Sequence, residues 1–233
     1  MRANRLLGIV VATTLAVTII PGSVAGAANL GPQGTATLGA WKILGGTGAP
    51  NVATWANFTG ANGTSLTGKT LNGGGTWTTD VGTWTIQSNQ AASSNAAIAN
   101  MDTSAAGTQN ASVLTTLTIG ATANAGLVAL DNGTVAIYAL YSKTAGGTVT
   151  LYKYNGGPTV LATATGVGTF ASTIMKLDAL TNTIKISLGA TQVLSYSLTA
   201  AEITTFKGAA NNRFGLIADS DAVTRFDDFH IDT

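Results

Sequence analysis

The stretch Val135–Pro158, VAIYALYSKTAGGTVTLYKYNGGP, decides the fold class of this chain. Val135 to Tyr141 is apolar at both alternating sets of positions, which is typical of a strand in the middle of a sheet. Thr148 to Tyr154 places threonines and tyrosines on one strand face, and Asn155–Pro158 is a strong turn signal. The stretch therefore predicts a hairpin-like pair of antiparallel strands.

Short strands and turns continue on both sides of this pair. Turn signals recur every eight to twelve residues or so, which is typical of a β-sandwich or barrel. The sequence therefore predicts an all-β fold, an antiparallel β-sandwich of the jelly-roll type. The further strands that it predicts are Val113–Ile119, Val160–Thr165, Ile184–Leu188, Gln192–Tyr196, Arg213–Asp219 and Val223–Ile231.

One short helix is predicted near residues 199–207. Thr199 and Glu202 have the spacing of a capping box, in which each side chain binds the backbone N–H of the other residue. Ile203 and Phe206 would face the sheet, and Gly208 would end the helix. Glu202 is the single glutamate of the sequence, so its capping role competes with any catalytic role.

The N-terminus has the pattern of a signal peptide over residues 1–27. Arg2 and Arg5 precede the apolar run Leu6–Ile20, and Ala25–Ala27 supplies the small residues that a signal peptidase accepts. We expect a secreted, extracellular or cell-surface protein. A Gly/Thr-rich lead-in segment would occupy residues 28–51, and one jelly-roll domain residues 52–233.

The composition excludes several partners and chemistries. Removal of Arg2 and Arg5 with the signal peptide changes the net charge from +1 to −1, so no basic field attracts nucleic acid or an anionic membrane. No later apolar stretch is long enough for a membrane anchor. The chain has no cysteine, which leaves its stability to packing and backbone hydrogen bonds.

Several short motifs follow one another along the chain: Phe58–Thr64, Trp77, Gly82–Ile86, Asp102, Gly126–Val128, Leu151–Lys153, Phe214–Leu216 and Arg225–Phe229. In this order they resemble the concanavalin A-like lectin/glucanase superfamily, in the laminin-G-like branch of secreted bacterial and phage proteins. The similarity covers residues 53–232. It implies a jelly roll of two sheets, one of them concave, with a face that often binds carbohydrate and with Trp77 and Trp84 as packing tryptophans.

No catalytic residue is predicted. Glycosidases of this superfamily carry a Glu-x-Asp-x-x-Glu or Glu-x-Asp-x-Glu motif, which the sequence lacks. His230 has acidic neighbours but no serine on a nucleophile elbow, so we interpret it as a solvated strand residue.

A group of aspartates near the C-terminus has two interpretations. Asp219, Asp221 and Asp227 could hold calcium, since hard cations bind carboxylate oxygens. Alternatively, Asp219 and Asp221 form turns and Asp227 is a hydrogen-bond acceptor that stabilises the fold.

Candidate ligand-binding residues are aromatic and amide side chains. Tyr152 and Tyr154 share a strand face with Thr148 and Thr150, and flat rings stack on the C–H faces of sugars. Asn132 and Asn155 lie in turns from which they could bind hydroxyl groups. The alternative for all four site residues, both tyrosines and both asparagines, is ordinary packing and turn formation.

These sequence features leave three alternative functions for the protein. The first is a non-catalytic domain that binds a glycan or cell-surface polysaccharide, as an adhesion module. The second is a structural surface or virion component that assembles through exposed strand edges. The third is a glycoside hydrolase with an atypical acid pair. The oligomeric state is left open.

Overall fold

A computed structural model describes residues 52–93, 99–103, 106–219 and 221–233. The predicted signal peptide and lead-in segment lie outside these residues and stay predictions. The described strands are β1 (Val52–Ala56), β2 (Thr78–Val81), β3 (Trp84–Gln87), β4 (Gln90–Ser93), β5 (Ala99–Thr103), β6 (Ser112–Thr118), β7 (Asn124–Asp131), β8 (Val135–Ser142), β9 (Thr148–Asn155), β10 (Pro158–Thr165), β11 (Ser172–Asp178), β12 (Thr183–Leu188), β13 (Thr191–Ser197), β14 (Arg213–Ala218) and β15 (Arg225–Asp232).

These strands form two antiparallel sheets, which confirms the predicted β-sandwich. One sheet has seven strands in the order β10-β9-β8-β7-β14-β5-β2. The other has eight strands in the order β13-β12-β11-β6-β15-β4-β3, with β1 paired to β15. The predicted hairpin is β8 and β9, which pair in an unbroken register from Val135–Asn155 to Ser142–Thr148.

Strand β8 is buried at all eight of its positions, as the doubly apolar sequence predicted. Ile137, Ala139 and Tyr141 belong to the main core, whereas Ala136, Tyr138 and Leu140 belong to a second apolar cluster. Side chains of a strand alternate between the faces of its sheet. The second cluster therefore lies on the other face of the seven-stranded sheet.

The main core contains both predicted packing tryptophans. Trp77 contacts Phe229 with ring centroids 4.8 Å apart, and Trp84 contacts Phe226 at 5.7 Å. Both tryptophans are buried. Their burial adds to the apolar area that stabilises a domain without disulfides.

The predicted helix is confirmed as α1 (Ala200–Phe206), with Thr199 as its N-cap. The Glu202 N–H donates to Thr199 Oγ1 at 3.3 Å, and the Thr199 N–H donates to Glu202 Oε2 at 3.0 Å. Glu202 is buried and also accepts bonds from Lys153 Nζ and the Tyr196 hydroxyl. Burial acts to raise the pKa of Glu202, but the bonds from Thr199, Lys153 and Tyr196 outweigh it and lower the pKa to about 2.

Within the described residues, no helix has the length and apolar character needed to cross a membrane.

Candidate functional site

A cleft of about 380 Å³ opens on the seven-stranded sheet, on the side of the second apolar cluster. This volume is at the small end of the range for ligand pockets. Val128 of β7 and Ile217 of β14 contribute to both the cluster and the cleft. The cleft is lined by Asp80, Val81, Asn100, Val128, Asp131, Gly133, Thr134, Val135, Ala136, Tyr138, Tyr154, Pro158 and Ile217.

Three tyrosines lie on this face of the sheet. Tyr138 of β8 is directly opposite Tyr152 of β9, and their rings stack with centroids 5.0 Å apart and an interplanar angle of 11°. Tyr154 is 43% exposed and lines the cleft together with Tyr138. Burial, with smaller effects of Tyr152 and Tyr154, raises the pKa of Tyr138 to about 12. The Tyr138 hydroxyl is therefore protonated at neutral pH and can donate a hydrogen bond.

Three aspartates and one arginine form a cluster beside the cleft. Carboxylate oxygens of Asp80, Asp102 and Asp131 all lie within 4.8 Å of one another. Arg213 Nη2 donates to Asp80 Oδ1 at 2.9 Å and to Asp102 Oδ1 at 2.5 Å. Asn100 Nδ2 donates to Asp131 Oδ2 at 3.1 Å. Two of the three carboxyl groups thus share one guanidinium, which balances a single negative charge.

Two β-bulges place acids of this group on the cleft face. Leu130 has a φ of +55° and its side chain is in the main core together with that of Ala129. Asp131 therefore returns to the cleft side, because one extra residue reverses the alternation of side chains. A register shift between Thr79 and Val81 in β2 likewise lets Asp80 and Val81 line the cleft as neighbours.

Asp102 is the most deeply buried acid of the group, with no exposed surface. Its Oδ2 has no hydrogen-bond donor. Burial is the largest cause that raises its pKa to about 9, the carboxylates of Asp131 and Asp80 act in the same direction, and Arg213 opposes them. The Asp102 carboxyl is therefore protonated at neutral pH in the folded protein.

The same three acids are the residues that could hold a metal ion among those described. Carboxylate oxygens and the Asn100 carbonyl are ligands that hard cations accept. The Arg213 guanidinium already bonds to two of the three acids, however, and supplies a positive charge in the same place.

The structure brings together some of the predicted binding residues and separates others. Tyr154 lines the cleft, and Tyr152 supports it through its stack on Tyr138. Asn132 Oδ1 accepts the backbone N–H groups of Thr134 and Val135, so this amide is used within its turn. Asn155 is exposed at the end of β9 and does not line the cleft.

The predicted calcium ligands have other partners. Asp219 Oδ2 accepts both the backbone and the side-chain N–H of Asn124. Asp221 Oδ1 accepts the backbone N–H of Val223, at 2.7 Å, and that of Thr224. The Asp221 bonds are those of a turn-forming aspartate, whereas the Asp219 bonds reach a residue 95 positions away, at the start of β7. Asp227 Oδ1 accepts the N–H of the next residue at a bulge in β15. Calcium binding by these three acids stays a prediction.

Sequence reasoning missed most of the cleft. Asp80, Asn100, Asp131 and Arg213 come from different strands, and nothing in their local sequence distinguishes them from other strand-end residues. Tyr138 could have been found, since a tyrosine at an outward position of a doubly apolar strand signals a covered outer face.

Comparisons with known proteins find likeness in structure rather than in sequence. No protein-family model matches the chain, and no curated protein matches it. The carbohydrate-binding module CBM66 from Bacillus subtilis aligns with a TM-score of 0.55 and 21% identity, over 72% of this chain and 97% of that one. A Bacillus subtilis protein of unknown function with a galectin-like fold aligns with a TM-score of 0.53 and 12% identity, over 74% and 96%.

A third structure shows a similar likeness. LamA from Z. galactanivorans, in complex with laminaritriose and laminaritetraose, aligns with a TM-score of 0.52 and 8% identity, over 79% of this chain and 100% of that one. At these identities the likeness concerns the fold alone. The chain thus shares a β-sandwich fold with CBM66, with the galectin-like protein and with LamA.

Proposed function

We propose that this protein is a secreted, non-catalytic carbohydrate-binding domain, and that the cleft on the seven-stranded sheet is its glycan site. The observation that carries the proposal is the pairing of an aromatic wall with polar groups in one cleft. Tyr154 and Tyr138 offer ring faces and hydroxyls, while Asp80, Asp131 and Asn100 offer oxygens and an amide.

This combination suits the chemistry of sugars. A pyranose or furanose ring has apolar C–H faces that pack on an aromatic ring, and hydroxyls that need several hydrogen-bond partners. Ionised carboxylates accept such bonds about twice as strongly as neutral groups. The named ligands and functions of CBM66 and LamA are carbohydrates or carbohydrate binding, which supports the proposal. Membership of the laminin-G-like branch and a role in cell-surface adhesion are part of it.

The position of Asp102 is less consistent with glycan hydrolysis than with glycan binding. A glycosidase needs two carboxyl groups that reach the bond to be cleaved, about 5–9.5 Å apart depending on stereochemistry. Asp102 has the raised pKa of a general acid, but it is fully buried, does not line the cleft and is bonded to Arg213. Binding without cleavage is therefore the function that the geometry favours.

A glycan array tests the proposal, with the mature protein probed once in calcium and once in a chelator. We expect binding to at least one class of oligosaccharide. Tyr154→Ala should weaken it about tenfold, which corresponds to ~1.4 kcal/mol. Calcium dependence would support the ion predicted at Asp219, Asp221 and Asp227.

The matched control is Trp55→Ala. Trp55 is 39% exposed, close to the value for Tyr154, but it lies on β1 in the other sheet. Its loss should leave glycan binding unchanged. An array without any bound glycan, or equal losses in both variants, would overturn the proposal.

A further inference from the structure

We infer that the cleft selects glycans by charge, preferring amino sugars that carry an ammonium group and rejecting sugars that carry a carboxylate. This inference rests on the proposed function and specifies its ligand class. Three features of the cleft support it: the balance of charges, the unpartnered buried oxygen of Asn100 and the position of the tyrosines.

The charge balance at the cleft is negative. Asp80 and Asp131 line it, whereas none of the lining residues described is a lysine or arginine. Arg213 lies beside the cleft and bonds to Asp80 and Asp102. Even with the Asp102 carboxyl protonated, the two lining carboxylates outnumber the one guanidinium. An anionic ligand would therefore meet a like charge, and this is costly where water is partly excluded.

Hydrogen-bonding capacity points the same way. Asn100 lines the cleft together with Asp80 and Asp131, and its Oδ1 is buried without a donor. The acidic end thus has acceptors in excess of donors. An ammonium group brings three donors and a positive charge, while a carboxylate brings only further acceptors.

The tyrosines complete the fit to a cationic sugar. Tyr138 and Tyr154 line the same cleft as Asp80 and Asp131, and a cation near the face of a tyrosine ring is attracted by the π-electrons. The rest of the lining is apolar, including Val81, Val128 and Ile217. A sugar ring on the apolar part can therefore place its ammonium group towards the acids.

Calorimetric titration of the mature protein tests this with three tetrasaccharide probes. These are β-1,4-linked glucosamine, the same tetramer fully N-acetylated, and an oligomer of galacturonic acid, all at pH 6 with a chelator present. We expect the glucosamine tetramer to bind about tenfold more tightly than its N-acetylated form, and the uronate oligomer not to bind. The preference should shrink between 50 and 500 mM salt, because salt screens partly exposed charges.

Two variants assign the effect to the cleft. Asp80→Asn removes one lining charge and should reduce the preference for the ammonium form at least threefold. Asp228→Asn removes the same charge from an exposed position in the other sheet, where φ is +47° and asparagine is tolerated. This control should keep the preference unchanged.

The possible results separate the two proposals. If a neutral or acidic glycan binds and the glucosamine tetramer binds no better, the charge selection is wrong and the glycan site stands. If Asp228→Asn lowers the preference as much as Asp80→Asn, the selection is also wrong, because it reflects total charge. If none of the three probes binds, the charge selection is wrong, and the glycan array decides separately whether the glycan site stands.

Discussion

Asp102 is the residue at which burial and charge conflict most strongly. It lies on β5 with no exposed surface and within 4.8 Å of two further carboxyl groups. Arg213 contacts only one of its oxygens. Protonation relieves this conflict, which is why its pKa rises to about 9. The residue therefore links the stability of the sheet to pH.

Between pH 4 and pH 9 the folded protein holds a proton on Asp102 that the unfolded chain, with a pKa near 3.8, has released. The folded state binds more protons, so this group makes the protein less stable as pH rises. Asp102→Asn is permanently neutral. The melting temperature of the variant, relative to that of the wild type, should therefore increase as pH rises from 5 to 9. Thermal melts at five pH values measure the difference, and parallel curves would contradict the assignment.

At the scale of elements, the capping box joins α1 to the seven-stranded sheet. Glu202 closes the N-terminus of the helix through Thr199 and at the same time binds Lys153 on β9 at 2.9 Å. One buried carboxylate thus fixes a helix end and its attachment to a strand. The single glutamate of the chain has a structural task.

Glu202→Gln should lower the free energy of unfolding by about 1–2 kcal/mol at pH 7, the usual range for the loss of a cap or a charged hydrogen bond. The folded pKa is about 2 against 4.5 in the unfolded chain. This stabilisation is therefore present above pH 4.5 and is lost as pH falls towards 2. Urea unfolding at pH 7 and pH 2.5 measures it. A difference between wild type and variant that persists undiminished at pH 2.5 would contradict the prediction.

Strands β14 and β5 approach each other closely at Gly215. Gly215 on β14 faces the Met101 carbonyl and the Cα and Cβ of Asp102 on β5, and an added Cβ would collide with them. Glycine at this position lets the strand that carries Arg213 pair with the strand that carries Asp102.

Gly215→Ala should destabilise the protein by about 1–3 kcal/mol, the usual range for overpacking. It should also weaken glycan binding, because Asp102 is displaced. Gly157→Ala is the matched control, since a Cβ there meets no atom within 4 Å. Chemical unfolding of both variants measures the effect, and equal stabilities would show that the strands adjust without strain.

At the scale of the whole molecule, the sandwich brings residues distant in the sequence to one cleft. Its lining extends from Asp80 to Ile217 and draws on all seven strands of a single sheet. The main core and the second apolar cluster have different roles. The main core between the sheets holds the fold together, while the second cluster of Val128, Tyr138 and their neighbours forms the apolar part of the cleft.

The sequence by itself determined the sandwich, the position of most strands and the capped helix. These depend on local patterns: alternation in β12, the doubly apolar run of β8, and the Thr199–Glu202 spacing. It also placed Tyr152 and Tyr154 on one strand face. The tertiary structure alone decided that Asp80, Asp102, Asp131 and Arg213 meet. Their meeting depends on the order of strands across the sheet and on two bulges, and a bulge has no reliable local signal because neighbouring strands determine the register.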